Sequence, residues 1–125
     1  MSQAAARHPL SEGAIVTKAV LRAASLLDVS NKVLARIVGL SEATISRMGS
    51  GVYTLTPGEK PFELAVLFVR FYRALDAIVQ GDDAAARAWL SGHNSVLGGE
   101  PLTLIQSLTG LVHAVAYLDA RRAIV

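Results

Sequence analysis

Residues 35–49, A-R-I-V-G-L-S-E-A-T-I-S-R-M-G, decide how this chain is read. Ala35 is small at a point where two short helices would cross. Four residues later, Gly39 supplies a backbone that tolerates the positive φ of a tight turn. Ser41 can cap a second helix by accepting from an amide of its first turn. Ile45 and Met48, three apart, share the face that would pack inward. The layout is that of a helix-turn-helix, whose second helix ordinarily enters the DNA major groove.

Upstream of this stretch, Ile15, Val16, Ala19, Val20, Ala23, Leu26 and Leu27 recur at intervals of three and four. That period predicts a helix over 13–27, with residues 1–12 loosely ordered. Ser30 opens the next helix, with Val33, Leu34, Ile37 and Val38 facing in, and the third helix is placed at 42–48. Gly49-Ser50-Gly51 ends it, and the chain to Gly58 reads as loop.

Downstream, Pro61 suits the first turn of a fourth helix reaching Val79. Leu64, Leu67, Phe68, Phe71, Leu75 and Ile78 make one apolar face; Phe62, Ala65, Val66, Val69, Tyr72 and Val79 make much of another. Such a helix must be covered on two sides. One face closes the helix-turn-helix; the other requires the C-terminal module or a second copy of the chain. A homodimer is expected, with Val69 at the contact.

Gln80-Gly81 interrupts that helix, and Asp82 caps a short one over 83–90. Residues 91–100 read as a glycine-containing loop. Pro101 opens a helix ending near Leu108, Thr109-Gly110 reads as a turn, and the last helix is expected over 111–122. There is no internal repeat, low-complexity tract or convincing strand. The expected fold is all-α: a helix-turn-helix region (1–58), a connecting and dimerisation helix (59–79) and a small C-terminal helical module (80–125).

Composition narrows the function classes. Of the 125 residues, 52% are hydrophobic and 18% charged, which excludes a disordered chain. No apolar run reaches the roughly 20 residues that span a bilayer. The opening Met1–Arg7 segment lacks the charged-then-apolar layout of a secretory signal, so a cytoplasmic location is expected. Without cysteine there is neither a disulfide framework nor a thiolate metal site. Residues 1–79 carry nine Lys/Arg against six Asp/Glu, whereas residues 80–125 carry three against four. The basic excess therefore lies with the helix-turn-helix, where it suits phosphate contacts, but it is small enough to favour binding as a dimer or larger assembly.

In a helix-turn-helix, side chains at the start of the second helix and one or two turns on point into the groove. These are Ser41, Glu42, Ala43, Ser46 and Arg47, with Thr44 beside a phosphate. Arg47 can read guanine through two parallel hydrogen bonds, and Glu42 can accept from cytosine N4. Ser41 and Thr44 would set register on phosphates, and Lys32 and Arg36 are candidate backbone contacts. The same corner also occurs in helical bundles that never touch nucleic acid.

The second half of the chain carries an ordered set: Trp89-Leu90, Asn94, Leu97-Gly98-Gly99, Pro101-Leu102, Gly110, Val115 and Tyr117-Leu118-Asp119-Ala120. It resembles the toxin-binding domain of the Xre/MbcA/ParS antitoxins. The helix-turn-helix of that family also fits Leu34-Ala35, Gly39, Ser41-Glu42 and Ser46-Arg47, so the resemblance spans roughly residues 30–125. A departure is the plain Gly-Ser-Gly after Met48, where many relatives are more basic.

The resemblance implies a type II antitoxin encoded beside a RES-domain toxin that degrades NAD or uses it to modify a target. It also implies repression of the operon by the complex through the helix-turn-helix. On this reading Trp89, Asn94, Leu97, Gly98, Pro101, Tyr117, Asp119, Arg121, Arg122, Ile124 and Val125 serve toxin binding. The last helix leads through Arg121 and Arg122 to Ile124, Val125 and a carboxylate, suited to an NAD cleft with charged and apolar walls. Occlusion of that cleft by residues 117–125 is the expected mode of inhibition.

Nothing in the chain favours catalysis. His8, His93 and His113 are far apart, no paired-carboxylate or nucleophile-elbow arrangement exists, and Asp82-Asp83 suit a helix start. No catalytic residue, metal ligand or cofactor is assigned. Two non-enzymatic alternatives stay open: a stand-alone regulator whose C-terminal helices bind a ligand or dimerise, and a pure interaction protein.

Overall fold

Each helix starts on a side-chain cap or a proline, which satisfies or removes amides that have no partner inside the helix. The computed structural model describes residues 10–124, without the Ile124 side chain; Val125 and residues 1–9 lie outside it. The described residues contain α1 (Glu12–Leu26), α2 (Asn31–Val38), α3 (Glu42–Gly49), α4 (Lys60–Ile78), α5 (Asp83–Ser91), α6 (Pro101–Leu104) and α7 (Leu108–Ile124). Ser11, Ser30, Ser41 and Asp82 accept from amides of α1, α2, α3 and α5, and Ser107 Oγ accepts from Gly110 N. Pro61 and Pro101 lie in the first turns of α4 and α6. Among the described residues the fold is all-α; the one bridge, Asn94 to Gly99, lies outside any strand.

The turn between α2 and α3 is built as the sequence predicts. Gly39 has φ 75° and ψ 36°, and the amides of Gly39 and Leu40 both donate to the Ala35 carbonyl, at 2.9 and 3.0 Å. This left-handed C-cap ends α2 and turns the chain into Ser41. Leu34, Ala35, Ile37, Val38, Ile45 and Met48 are buried, so the corner closes on its own apolar face.

α4 organises everything else. Its Ala65, Phe68, Phe71, Ala74 and Leu75 are buried in one line, with α1 and α2 on one side and α7 on the other. Burying a phenylalanine stabilises a fold by roughly 1.5–3 kcal/mol, so Phe68 and Phe71 are a large part of the attachment. The buried side chains from Val20 to Leu118 form one continuous cluster. Among the described residues, polar links also join the halves: Arg87 donates to the Leu26 carbonyl at 3.0 Å, Arg36 to Gln106 Oε1 at 3.4 Å and Arg70 to Asp119 Oδ2 at 3.4 Å.

Of the two covers expected for the second face of α4, the C-terminal module supplies one, through α7. Two other expectations change. Val69, expected at a dimer contact, lies with Ala19, Ala23, Leu26 and Tyr72 in the cleft between α1 and α4, where it packs against the core. Beside it the Tyr72 hydroxyl is pushed above its ordinary pKa, first by burial and then by Asp76 and Asp83.

The second change concerns the C-terminal turn. α6 is a single turn, the chain reverses at 105–107, and α7 begins at Leu108, so Thr109-Gly110 is helical and not a turn. A Cβ on Gly110 would lie 1.9 Å from the Leu104 carbonyl oxygen. The glycine is there for close approach of backbone, which single-sequence reading mistakes for turn chemistry.

Gly110→Ala should therefore cost roughly 1–3 kcal/mol or more, since the obstructing atom is backbone and cannot rotate away. Gly49→Ala, at a helical position with nothing within 4 Å, should be neutral or stabilising by up to about 1 kcal/mol. Urea denaturation of the two variants checks the contrast.

Candidate DNA-facing helix and toxin-binding surface

Ser41, Glu42, Ala43, Ser46 and Arg47 are exposed on α3 and its cap, as a groove-entering helix requires, and Lys32 and Arg36 are exposed on α2. Thr44 is different. It is 9% exposed, and its Oγ1 shares a 2.9 Å hydrogen bond with Ser41 Oγ. Arg47 Nη2 donates to the same Thr44 oxygen at 2.9 Å. Thr44 is thus no outward phosphate contact. It is a buried bracket that ties the capping serine to the one cation of the recognition helix. A guanidinium held this way loses less freedom when it meets a planar acceptor.

The C-terminal module exposes a second surface, built by aromatic stacking outward from α4. Phe68 and Phe71 have ring centroids 6.0 Å apart, Phe71 and Trp89 6.1 Å, and Trp89 and Tyr117 6.4 Å. The Arg121 guanidinium sits 5.6 Å over the Tyr117 ring and donates to its hydroxyl at 3.3 Å. Such contacts contribute about 0.5–1.5 kcal/mol per aromatic pair beyond burial. Asp119 pairs with Arg70 at 3.4 Å and with Arg122 at 3.9 Å. Trp89 and Tyr117 are half-buried, whereas Arg121 and Arg122 are exposed.

Asn94 organises the loop between α5 and α6. Its carbonyl accepts from Gly98 N and Gly99 N at 2.9 and 3.1 Å, its amide donates to the Gly99 carbonyl at 2.9 Å, and its Oδ1 accepts from Leu97 N at 2.9 Å. Gly98 occupies the left-handed region at φ 86°, and Leu97 is half-buried. Pro101 is fully buried, so it supports this surface from beneath and offers it no atom. Val96, which the sequence reading passed over, projects from the loop at 73% exposure.

Two family models match in this order along the chain. The antitoxin Xre-like helix-turn-helix domain matches residues 6–70, and the antitoxin Xre/MbcA/ParS C-terminal toxin-binding domain matches residues 74–123. The chain belongs to the Xre-type antitoxins. No curated protein matches it.

The junction between the two matched segments falls within α4, so the antitoxin's two regions share a single helix and a single core. Both families are regulatory or binding domains and neither is enzymatic. Among the described residues no helix is long and apolar enough to cross a membrane, and no group of three metal-ligating side chains converges. His93 and His113 are both exposed and lie on separate elements.

Sequence reading missed the bracket on Arg47 and the link from Arg36 to Gln106. The first had a signal, since Ser41, Thr44 and Arg47 recur at steps of three and so share a helix face. The second joins residues 70 apart in the chain and left no local trace.

Asn94→Ala removes the acceptor for Leu97 N and should cost about 0.5–1.5 kcal/mol. Amide exchange should quicken at Leu97, Gly98 and Gly99 while α1–α4 stay protected. Unchanged exchange in the loop would show that Asn94 does not hold it.

Proposed function

We propose that this antitoxin neutralises a RES-type, NAD-consuming toxin encoded beside it by filling the toxin's NAD cleft with residues 117–125, and that it represses its own promoter as a dimer through α3. It acts by occupancy, with no chemistry of its own. The observation that carries the toxin half is the end of α7. Two exposed arginines follow a stacked Trp89–Tyr117 pair that is anchored through Phe71 to the core. The described part of this plug, from Tyr117 to Arg122, is helical before it meets a target, so that part loses little freedom on binding. Arg121 and Arg122 suit carboxylates of a nucleotide-handling cleft, which planar guanidinium groups bind through paired hydrogen bonds.

The DNA half rests on Arg47. Thr44 holds one nitrogen of its guanidinium and leaves the other donors for a guanine edge, and Glu42, exposed at the start of the helix, suits cytosine. Lys32 and Arg36, one turn apart on α2, suit successive phosphates. Ser41, occupied by its own cap and by Thr44, and Ala43 and Ser46, which are small, allow close approach of the helix.

Co-expression with the neighbouring reading frame, pull-down and an NAD assay test the first half. The full chain should hold the toxin silent, and deletion of residues 121–125 should release NAD consumption; full inhibition by the truncated chain would rule out the plug. For the second half, gel shifts on the promoter at several salt concentrations should separate two kinds of contact. Arg47→Ala should cost about 1–3 kcal/mol at the operator alone, whereas Lys32→Ala should weaken all DNA evenly and lower the salt slope by about 1. Thr44→Val should give part of the Arg47 loss.

A further inference from the structure

Along the seam between α4 and α7 runs a shallow groove of about 440 Å³, floored by Val66, Leu67 and Leu108 and edged by Lys60, Glu63 and Arg70. Val66 is 37% exposed, Leu108 60% and Val112, one turn further along α7, 45%. Large apolar side chains gathered this way on a small helical surface mark an interaction site. Neither family segment owns the groove, because Val66 and Leu67 lie in the first and Leu108 in the second.

We propose that this groove is where a second copy of the chain docks. A two-fold contact places the same patch on both sides, so the patch must complement itself: apolar at its centre and carrying both signs at its edge. The groove meets both conditions. Lys60 and Glu63 stand side by side at one edge, 3.7 Å apart and exposed, and Arg70 and Asp119 form a mixed pair at 3.4 Å further along the same helices. Turned over on itself, each cation can meet an acidic partner. The other exposed end of α7, at Arg121 and Arg122, carries two cations on successive residues, which suits an acidic partner more than a copy of itself. The groove and the end of α7 meet at Asp119, which pairs with both Arg70 and Arg122, so a dimer seated on Val66 and Leu108 covers the start of α7 and leaves Arg121 and Arg122 for a toxin.

This locates the contact of the proposed dimer, replacing Val69, and it depends on the dimeric part of that reading alone. Sedimentation velocity on the full chain, without DNA or toxin, tests it across the micromolar range. The wild type should sediment as a dimer. Leu108→Glu and Val66→Glu, both at exposed positions and checked for unchanged helix content, should each raise the dimer dissociation constant about tenfold or more. Both variants should still retain the toxin in a pull-down. A monomeric wild type, or dimers unaffected by both substitutions, would overturn the proposal. So would variants that stay dimeric but lose the toxin, since the groove would then belong to the toxin. A wild-type dimer that retains no toxin would sink the antitoxin plug and leave the groove standing.

Discussion

The line of buried side chains along α4, from Ala65 through Phe68 and Phe71 to Leu75, is the constraint on which the molecule depends. A helix apolar on two sides cannot remain half covered, so the same residues that close the helix-turn-helix also require α7. The two regions of this antitoxin are consequently not beads on a linker. They are two faces of one packed object, and the Arg87 bond to the end of α1 and the Arg36 bond to Gln106 reinforce the arrangement at its edges.

Each surface is rigid because it grows from that core. The cation of the recognition helix is held by a buried threonine, and the threonine is held by the serine that caps the same helix. At the opposite end, the aromatic series from Phe68 to Tyr117 carries order outward to Arg121. In both places a side chain that looks free in the sequence is prearranged by a neighbour three or four residues away. Prearrangement lowers the entropy lost on binding, which matters in a chain with few cations.

The helices were legible because their starts and stops are chemical: Ser30, Ser41 and Asp82 cap, Pro61 and Pro101 open, Gly39 turns, whereas the Ser11 cap that starts α1 at Glu12 lay in a stretch expected to be loosely ordered. The exposed members of the DNA-facing set were legible for the same reason, since capping fixes the phase of α3 and phase fixes which residues face out. What sequence reading lost were tertiary effects. Gly110 looks like a turn but admits a carbonyl from 104. Val69 and Val66 look equivalent along α4, yet only the position of α1 leaves one tucked in and the other in the open. Pro101 belongs to the recognisable pattern of the toxin-binding region, yet it acts from inside.

If α4 fuses the two regions into one core, they must unfold together. Trp89, the single tryptophan, reports the C-terminal module through its contacts with Phe71 and Tyr117, and amide exchange of α2 and α3 reports the helix-turn-helix. In a urea titration of the full chain, both probes should give one coincident transition with the same midpoint and slope. Two separated transitions, with the helix-turn-helix surviving the loss of Trp89 packing or the reverse, would contradict the account.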